Sequence, residues 1–448
     1  MIRGRSISPK HQADKTKKKS LLLLVSEGFH LVKLFRDRLL QPPYIKFYDV
    51  KLLFIHDDDV KGTEDEEVSQ ISRTQALDKT MLLEKIRGLR VDVVIDFLPF
   101  FDDVSTPIHT IEACIEADCQ VIDFGSKSQE IFQRMKDNQQ LSRAIVSTTL
   151  FSGIFPGLSG LIASSMIEDG QSADEQGAER VRIDCFISGL SGFDLDLFMC
   201  FLEQITTYSC NVVEGKTEWK SPLTGRRVVD FGPILGKKSV YHFYSPECTS
   251  LYQKYGIKNI QVQFGVCNSA FYILLIFFGM VYRILPRRVR KRYSWFLFNV
   301  LLSPLKLISR NSLGLRVSVL GADGLLRIHR QTHRDLNNLL VDSISRQIAM
   351  LIEEDGIGVE IFNNRLSSEN RSKLIEFSIA CADSSDITSV AGTVSDHGDV
   401  MSLDDEHPIV WLLHRILISL PVTLVFSKLW GWPFIPVFAL FFAVIVFF

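Results

Sequence analysis

The stretch that decides the fold lies at residues 91–125 and reads VDVVIDFLPFFDDVSTPIHTIEACIEADCQVIDFG. It holds an apolar run at 93–97, a polar turn, a segment with apolar residues at helical spacing, and a second apolar run at 121–124. Two buried strands joined by a helix are the unit from which parallel sheets are built, and such sheets bind ligands at the carboxyl ends of their strands. We therefore predict an α/β fold with a ligand crevice at this edge.

Length and composition restrict the possible classes of protein. The chain has 448 residues, too many for one typical core, so we expect two domains with appended segments. The formal net charge is −2, which gives no reason to expect a nucleic-acid partner. Eight cysteines include no pair at the C-x-x-C spacing of a zinc or redox site. We expect reduced thiols and no metal site.

The chain divides into segments of different character. The first part reads as strands alternating with helices, and the second part as short strands separated by turns, which is typical of an α+β domain. We predict a basic disordered arm (1–19), a Rossmann-like dinucleotide-binding domain (20–167), an α+β domain (181–362) with an apolar insertion (270–308), an acidic linker (380–407) and a membrane anchor (409–448). The linker is rich in Ser and Asp and lacks the apolar residues that a folded segment buries.

Apolar runs and helical spacing also give a coarse list of elements. Outside 91–125, we predict strands at 21–25, 50–55, 144–148, 181–187, 228–231, 240–244 and 260–264, and a hairpin that joins 316–320 to 325–330. We predict helices at 31–40, 76–87, 129–141, 161–167 and 335–352, and a loop at 61–72.

The turn after the first strand departs from the dinucleotide-binding fingerprint, which needs three glycines. The corresponding positions are Ser26, Gly28 and Leu31. Only the middle glycine, which lets a phosphate approach the backbone, is present, and Leu31 is expected to push the helix away from the strand. A helix N-terminus can still bind phosphate through its free N–H groups. A phosphate-binding turn and a plain strand-to-helix turn therefore both stay open.

Asp57 follows the second predicted strand, where an acidic side chain in a dinucleotide-binding domain bonds the ribose hydroxyls. A carboxylate repels a 2′-phosphate, so Asp57 slightly favours NAD over NADP as cofactor. The alternative is that Asp57, Asp58 and Asp59 form a solvated acidic turn.

Four blocks of sequence resemble the saccharopine dehydrogenase family, in its saccharopine dehydrogenase-like oxidoreductase branch. The blocks are DVVIDFLPF from Asp92, EACIEA from Glu112, VIDFG from Val121 and FPGLS from Phe155. The resemblance covers residues 20–362 and implies a nicotinamide-dependent oxidoreductase. In such relatives Gly28, Leu98, Pro99, Phe100 and Asp123 would line the cofactor crevice.

This chain also departs from the family pattern. The glycine of the family's Gly-Pro-Phe turn is Leu98 here. The resemblance makes Asp123 the best candidate for a functional carboxylate, and capping of the next turn is an equal alternative. No catalytic proton-transfer residue is singled out by spacing.

Two apolar stretches indicate a membrane. Residues 429–448 carry no charge over about 20 residues, the length that crosses a hydrocarbon core. We predict a tail anchor that leaves the folded domains facing the cytosol, and the alternative is a hairpin that also uses 412–426. The apolar stretch 270–285 and the basic cluster 287–292 suit an anionic membrane surface. A buried inter-domain helix or the face of a homodimer is the alternative for this region.

These observations predict a membrane-anchored saccharopine dehydrogenase-like oxidoreductase that uses NAD or NADP. Its small-molecule substrate is unidentified, and the apolar segments favour a lipid-related compound. The alternative is a non-catalytic membrane-bound pseudo-enzyme or scaffold that keeps the fold with a degenerate cofactor loop. Ser26, Leu31 and Leu98 favour that alternative.

Overall fold

The structure is a computed structural model, and it describes residues 18–26, 30–42, 44–56, 68–72, 78–97, 105–124, 147–150, 155–170, 178–189, 195–221, 224–267, 269–299, 312–354, 358–361 and 365–391. Residues 1–17 of the predicted basic arm, the predicted helix at 129–141 and the predicted membrane anchor at 409–448 lie outside these residues. Lys19, which we assigned to the disordered arm, instead begins a strand. In the part of the chain that is described, no helix combines the length and the apolar character needed to span a bilayer.

Sixteen strands occur in the described residues. In chain order they are β1 (Lys19–Ser26), β2 (Tyr48–His56), β3 (Val68–Ser72), β4 (Val93–Asp96), β5 (Gln120–Asp123), β6 (Ser147–Leu150), β7 (Arg180–Ile187), β8 (Ser209–Val213), β9 (Lys216–Lys220), β10 (Arg227–Asp230), β11 (Lys237–His242), β12 (Asn259–Val266), β13 (Leu313–Leu320), β14 (Leu325–His333), β15 (Gly358–Ile361) and β16 (Ser384–Ala391).

Ten α-helices accompany them within the same residues. They are α1 (His30–Leu39), α2 (Lys79–Leu89), α3 (Ser105–Glu116), α4 (Leu158–Gly170), α5 (Leu195–Ile205), α6 (Pro246–Tyr255), α7 (Ser269–Ile284), α8 (Arg287–Leu297), α9 (Leu336–Glu353) and α10 (Ser368–Ala380). Among the described residues, one 3-10 turn is found, at Tyr44–Lys46.

The first sheet has seven parallel strands in the order β15-β6-β5-β4-β1-β2-β3. The order β3-β2-β1-β4-β5-β6 is that of a doubly wound dinucleotide-binding domain. Strand β1 is apolar throughout its centre because helices cover both faces of the sheet. The prediction of an α/β fold with a Rossmann-like parallel sheet is confirmed.

Two clusters of buried residues cover the two faces of this sheet. On one face, Leu22 and Leu24 of β1 contact a core that includes Ile86 of α2 and Ile111 of α3. The opposite face carries Leu21, Leu23 and Val25 and joins a larger core that continues into the second sheet. The alternating positions of β1 therefore face two different cores.

The first sheet is completed by a late part of the chain. Helix α9 lies against α1, and β15 then pairs with β6 in parallel. Two side chains near the amino-terminal ends of strands bond the last carbonyls of α9: Lys19 Nζ donates to Ile352 O (3.1 Å) and Gln120 Nε2 donates to Leu351 O (2.8 Å). The first sheet therefore extends beyond residues 20–167. It includes β15, which lies within the residues 181–362 that we assigned to the second domain.

The second sheet is mixed, with the order β10-β11-β12-β7-β13-β14-β16. Strands β7 and β12 are parallel, the other neighbours in this order are antiparallel, and β8 pairs with both β12 and β9. One face joins the larger core through Val181, Ile183 and Cys185 of β7. The other face carries both the buried Asp184, which pairs with Arg227 at 2.5 Å, and a smaller apolar cluster that includes Phe186 and Val240. This agrees with the predicted α+β character of the second part.

Two segments predicted as irregular contain strands. The predicted loop at 61–72 includes β3, which extends the first sheet beside β2. The predicted acidic linker at 380–407 includes β16, which pairs with β14 while Asp386 contacts Arg330 at 2.6 Å. An edge strand needs backbone hydrogen bonds from one neighbour rather than a core of its own, so a polar sequence can form it. Both predictions were wrong for these residues.

The apolar insertion predicted at 270–308 contains α7 and α8. Helix α7 packs closely on α5, because Gly279 has no side chain: a Cβ atom there would lie 2.9 Å from Leu202 O. Tyr272 and Leu275, on the same side of α7, are buried. Pro286 separates the two helices.

Candidate functional site

The candidate site lies where the order of the first sheet reverses, between β1 and β4. From β1 the chain passes through α1 to β2 on one side, and β4 pairs with β1 on the other side. Because all the strands are parallel, their carboxyl ends meet at one edge of the sheet. A crevice forms at such a reversal, since the chain leaves the two strands in opposite directions.

The structure shows which strand ends carry the predicted site residues. Ser26 is the last residue of β1 and Asp123 the last residue of β5. Gly28, Asp57, Leu98, Pro99 and Phe100 lie outside the described residues and follow β1, β2 and β4 within a few residues. The strand ends that lead to these seven residues share one edge of the sheet, and the cofactor-binding roles remain predictions.

A repeated tetrapeptide forms the carboxyl ends of β4 and β5 at this edge of the sheet. VIDF occurs at 94–97 and again at 121–124. Strands β4 and β5 align the two copies in register: Val94 faces Val121, Ile95 faces Ile122 and Asp96 faces Asp123 as Cα partners. Both aspartates are buried. Asp123 was among the predicted site residues and Asp96 was not, although the repetition of VIDF could have revealed Asp96.

Aromatic rings follow the two aspartates. The rings of Phe97 and Phe124 stack with their centroids 5.2 Å apart and their planes 16° apart. Phe35 of α1 lies against Phe97, also at 5.2 Å between centroids. The three rings form a row from α1 across the ends of β4 and β5, and they fix α1 against the strand ends where the fingerprint glycines are missing.

The electrostatics of α1 suit an anion at its beginning. Its first turn holds no acidic residue, and the partial positive charge of a helix N-terminus favours phosphate. The other end of α1 is tied to α9 by the ion pair between Arg38 Nε and Asp342 Oδ1 at 2.8 Å. Helix α1 therefore begins at the crevice and is held in place from its far end.

Two histidines stand at this edge by their backbone positions. His30 is the first residue of α1 and His56 is the last residue of β2. Neither histidine was among the predicted site residues, although each follows or ends an apolar strand. Because the fold brings both histidines to the edge of the sheet that holds the crevice, they are candidates for proton transfer.

The N-terminus of α4 is already occupied by a side chain of the protein. Glu247 Oε1 accepts hydrogen bonds from Gly157 N (2.8 Å), Ser159 Oγ (2.6 Å) and Gly160 N (2.7 Å). Burial raises the pKa of Glu247, and the hydrogen bonds from Ser159, Gly157, Gly160 and Ser245 oppose that rise. The FPGLS block of the family resemblance therefore holds a buried carboxylate and does not receive an anionic ligand.

Other titratable groups belong to the protein interior. Burial lowers the pKa of His242 and of His329 to about 4, and both lie in the second sheet. Burial raises the pKa of Cys119 to about 11, so this thiol is neutral. Within the described ranges, no group of three or more His, Cys, Asp or Glu side chains could hold a metal ion.

A cavity of about 560 Å³ lies away from the crevice, beside the second sheet. The β10–β11 turn forms one wall with Gly232, Pro233 and Gly236, and Arg330 forms part of the other. Arg330 is engaged by Asp230 at 3.2 Å and by Asp386 at 2.6 Å. The charged groups of this cavity therefore bond one another.

No protein-family model and no curated protein matches the sequence. Among solved structures, the chain is similar to the apo histidine-tagged saccharopine dehydrogenase (L-Glu forming) from Saccharomyces cerevisiae, with a TM-score of 0.53 and 13% identity. That likeness covers 83% of this chain and 100% of the yeast chain. A glucose-6-phosphate 1-dehydrogenase from Mycobacterium avium aligns over 81% of this chain and 98% of its own at 9% identity. Its TM-score of 0.29 is too low to indicate a shared fold.

At this identity the yeast enzyme informs the fold and not the chemistry. Its full-length alignment includes both the parallel sheet and the mixed sheet described above. The sequence blocks and the three-dimensional likeness agree on one family of folds. This chain has the fold of saccharopine dehydrogenase.

Proposed function

We propose that the chain is a nicotinamide-dependent oxidoreductase of the saccharopine dehydrogenase type, anchored in a membrane by residues 409–448. The observation that carries the proposal is the strand order of the first sheet, which reverses between β1 and β4. Dinucleotides bind at such a reversal in doubly wound folds. The segments that contain Gly28, Asp57 and 98–100 all begin at this edge.

The residues of the crevice would have distinct roles. Gly28 and the N-terminus of α1 would receive the pyrophosphate, because that turn of α1 carries no acidic residue. Asp57 would bond the ribose hydroxyls and favour NAD over NADP. Leu98, Pro99 and Phe100 would form the wall above the stacked rings of Phe97 and Phe124. The bound cofactor would supply the hydride chemistry.

The membrane assignment rests on the sequence. Residues 429–448 form a charge-free segment of spanning length, and the folded domains precede it. We place these domains on the cytosolic side, and the anchor favours a lipid-related substrate over a freely soluble one.

Titration of full-length protein in detergent with NADH and with NADPH tests the proposal. We expect micromolar binding, with NADH preferred, and the preference should weaken in Asp57→Ala. Glu218→Ala is the matched control, because Glu218 is an acidic residue on β9, far along the chain from the crevice segments. Absence of heat and of thermal stabilisation at millimolar cofactor would refute the oxidoreductase.

The second candidate function is a non-catalytic membrane-bound scaffold or pseudo-enzyme. Ser26 and Leu31 replace two fingerprint glycines, and Leu98 replaces the glycine of the family turn. Gly28 keeps the position that a phosphate would approach, but Leu31 would hold α1 away from β1 and Leu98 would add a side chain to the wall of the cofactor crevice. The same titration separates the two functions, because a scaffold of this kind binds neither dinucleotide.

A further inference from the structure

Helices α7 and α8 expose large apolar side chains to solvent. Among the described residues, this pair of helices carries an exposed set that we call the α7–α8 patch: Met280, Ile284, Val289, Trp295 and Phe296. Ile284 is 84% exposed and Trp295 is 59% exposed. Single exposed apolar residues are ordinary, but several on adjacent helices mark an interaction surface.

The patch faces outward because the opposite sides of the two helices are packed in the protein core. Tyr272, Leu275 and Tyr282 of α7 and Leu297 of α8 are buried in the larger core. Arg283 Nη1 donates to Thr206 O at 2.7 Å, which fixes the end of α7 to the end of α5. These contacts fix the orientation of both helices, so the side chains of the patch face the solvent.

The charge around the patch has one sign. The sequence contains no Asp or Glu from residue 248 to residue 322, and it contains eleven Lys or Arg in that interval. The whole chain has a formal net charge of −2, so this positive charge is local. Six of the basic residues lie between 283 and 292, within α7, α8 and the turn that joins them, and Arg292 is exposed.

We propose that the α7–α8 patch docks on a bilayer surface that contains anionic phospholipid. An interfacial helix presents Trp, Phe and aliphatic side chains to the acyl boundary while Arg and Lys meet the phosphate groups. Trp295 and Phe296 on α8, with Arg292 one turn earlier, provide that combination. An acidic protein would match the charge, but it would not require Trp, Phe, Ile and Met together on the surface. This inference goes beyond the proposed function because it requires neither a cofactor nor the C-terminal segment.

Photo-crosslinking in full-length protein tests the docking. p-Benzoylphenylalanine replaces Phe296 in one variant and Trp219 in the control variant, because Trp219 is similarly exposed (57%) but lies on β9. The variants are irradiated with phosphatidylcholine vesicles that contain about 30% phosphatidylserine. We expect a phospholipid adduct by mass spectrometry at position 296 and none at position 219.

A second variant tests the electrostatic part. Arg292→Glu removes two units of positive charge, and the adduct at position 296 should fall about 5-fold for each unit. Pure phosphatidylcholine vesicles should give a similarly low yield. A lipid adduct of equal yield at positions 219 and 296 overturns the proposal, as does a crosslink from position 296 to a second copy of the chain. Vesicle-bound protein without any adduct at position 296 would assign membrane binding to the C-terminal segment alone and would also overturn it.

Discussion

Replacement of Glu247 by Ala should destabilise the protein strongly, whereas replacement by Gln should change its stability little. Glu247 is 1% exposed, and its Oε1 atom accepts hydrogen bonds from two backbone amides and one hydroxyl at the start of α4. Its Oε2 atom receives the Ser245 hydroxyl at 3.2 Å. The carboxylate therefore fills a position that a capping side chain of α4 itself would otherwise take.

The magnitude follows from the groups that would lose their partner in Glu247→Ala. The Ser159 hydroxyl can rotate toward another acceptor, but the amides of Gly157 and Gly160 are fixed by the backbone. An unsatisfied buried donor costs about 1–3 kcal/mol, so two of them give about 2–6 kcal/mol. Glu247→Gln keeps one oxygen for the three donors, and its amide can donate to Ser245, so we expect a change below about 1 kcal/mol.

The pH dependence supplies an independent test. Burial raises the pKa of Glu247 above its ordinary value of 4.5. The folded protein therefore binds this proton more tightly than the unfolded chain does. The stability that the protonated group contributes is fully present below the unfolded pKa and is lost as the pH rises through the folded pKa. Since Glu247→Gln lacks this titration, its stability relative to the parent should improve as the pH rises from the unfolded pKa of Glu247 through its higher folded pKa.

Urea denaturation of the parent and both variants measures these differences in the free energy of unfolding, provided that the three slopes agree. The measurements are made in the same detergent at several pH values. An alanine variant that loses less than about 1 kcal/mol would show that water or another group satisfies the amides. A glutamine variant that is as unstable as the alanine variant would show that the charge itself holds the start of α4.

Three further changes test other parts of the structure. Asp184→Ala should cost about 3–5 kcal/mol in urea denaturation because it leaves Arg227 unpaired beside the second sheet, whereas Glu218→Ala at an exposed pair should cost under about 0.5 kcal/mol. Gly279→Ala should cost about 1–3 kcal/mol in the same assay, since its Cβ would press on α5; an unchanged midpoint would contradict that packing. Asp57→Ala should raise the affinity for NADPH relative to NADH about tenfold in calorimetry, and an unchanged ratio would remove Asp57 from the ribose site.

Apolar runs alone located most strands of the protein. The run at 21–25 became β1, 50–55 became part of β2, and 181–187 became β7. The run of β1 is continuous because helices cover both faces of that strand, whereas the runs of β2 and β7 also contain Lys51 and Asp184. Local sequence is sufficient in all three cases, since apolar residues dominate each run.

The polar strands could not be predicted in that way. Five of the eight residues of β16 are Ser, Thr or Asp, and its stability comes from pairing with β14 and from the contact between Asp386 and Arg330. Strand β3 similarly depends on β2. Whether such a segment forms a strand depends on a neighbouring strand that can be distant in the sequence. The composition of the segment alone does not indicate that neighbour.

The candidate site shows the same division. The family resemblance pointed to Asp123, but only the register of β4 and β5 placed Asp96 beside it. VIDF occurs twice in the sequence, and the pairing of β4 with β5 places the two copies side by side. The segments after β1 and β2 were chosen from the dinucleotide-binding pattern, and the segment after β4 from the family resemblance. The sheet order brings their strand ends to one edge.

The sequence by itself determined that this protein is an α/β protein with a parallel sheet, because continuous apolar strands alternate with helical segments along its first part. It also determined where charge is absent and where it is concentrated, since both are properties of the chain alone. Only the tertiary structure decided that β15 returns to the first sheet, that Glu247 caps α4, and that α7 and α8 leave Trp295 exposed. These features join residues that are far apart in the chain or depend on which face of a helix is covered. Local apolar patterning selects the elements, and their mutual packing selects the partners.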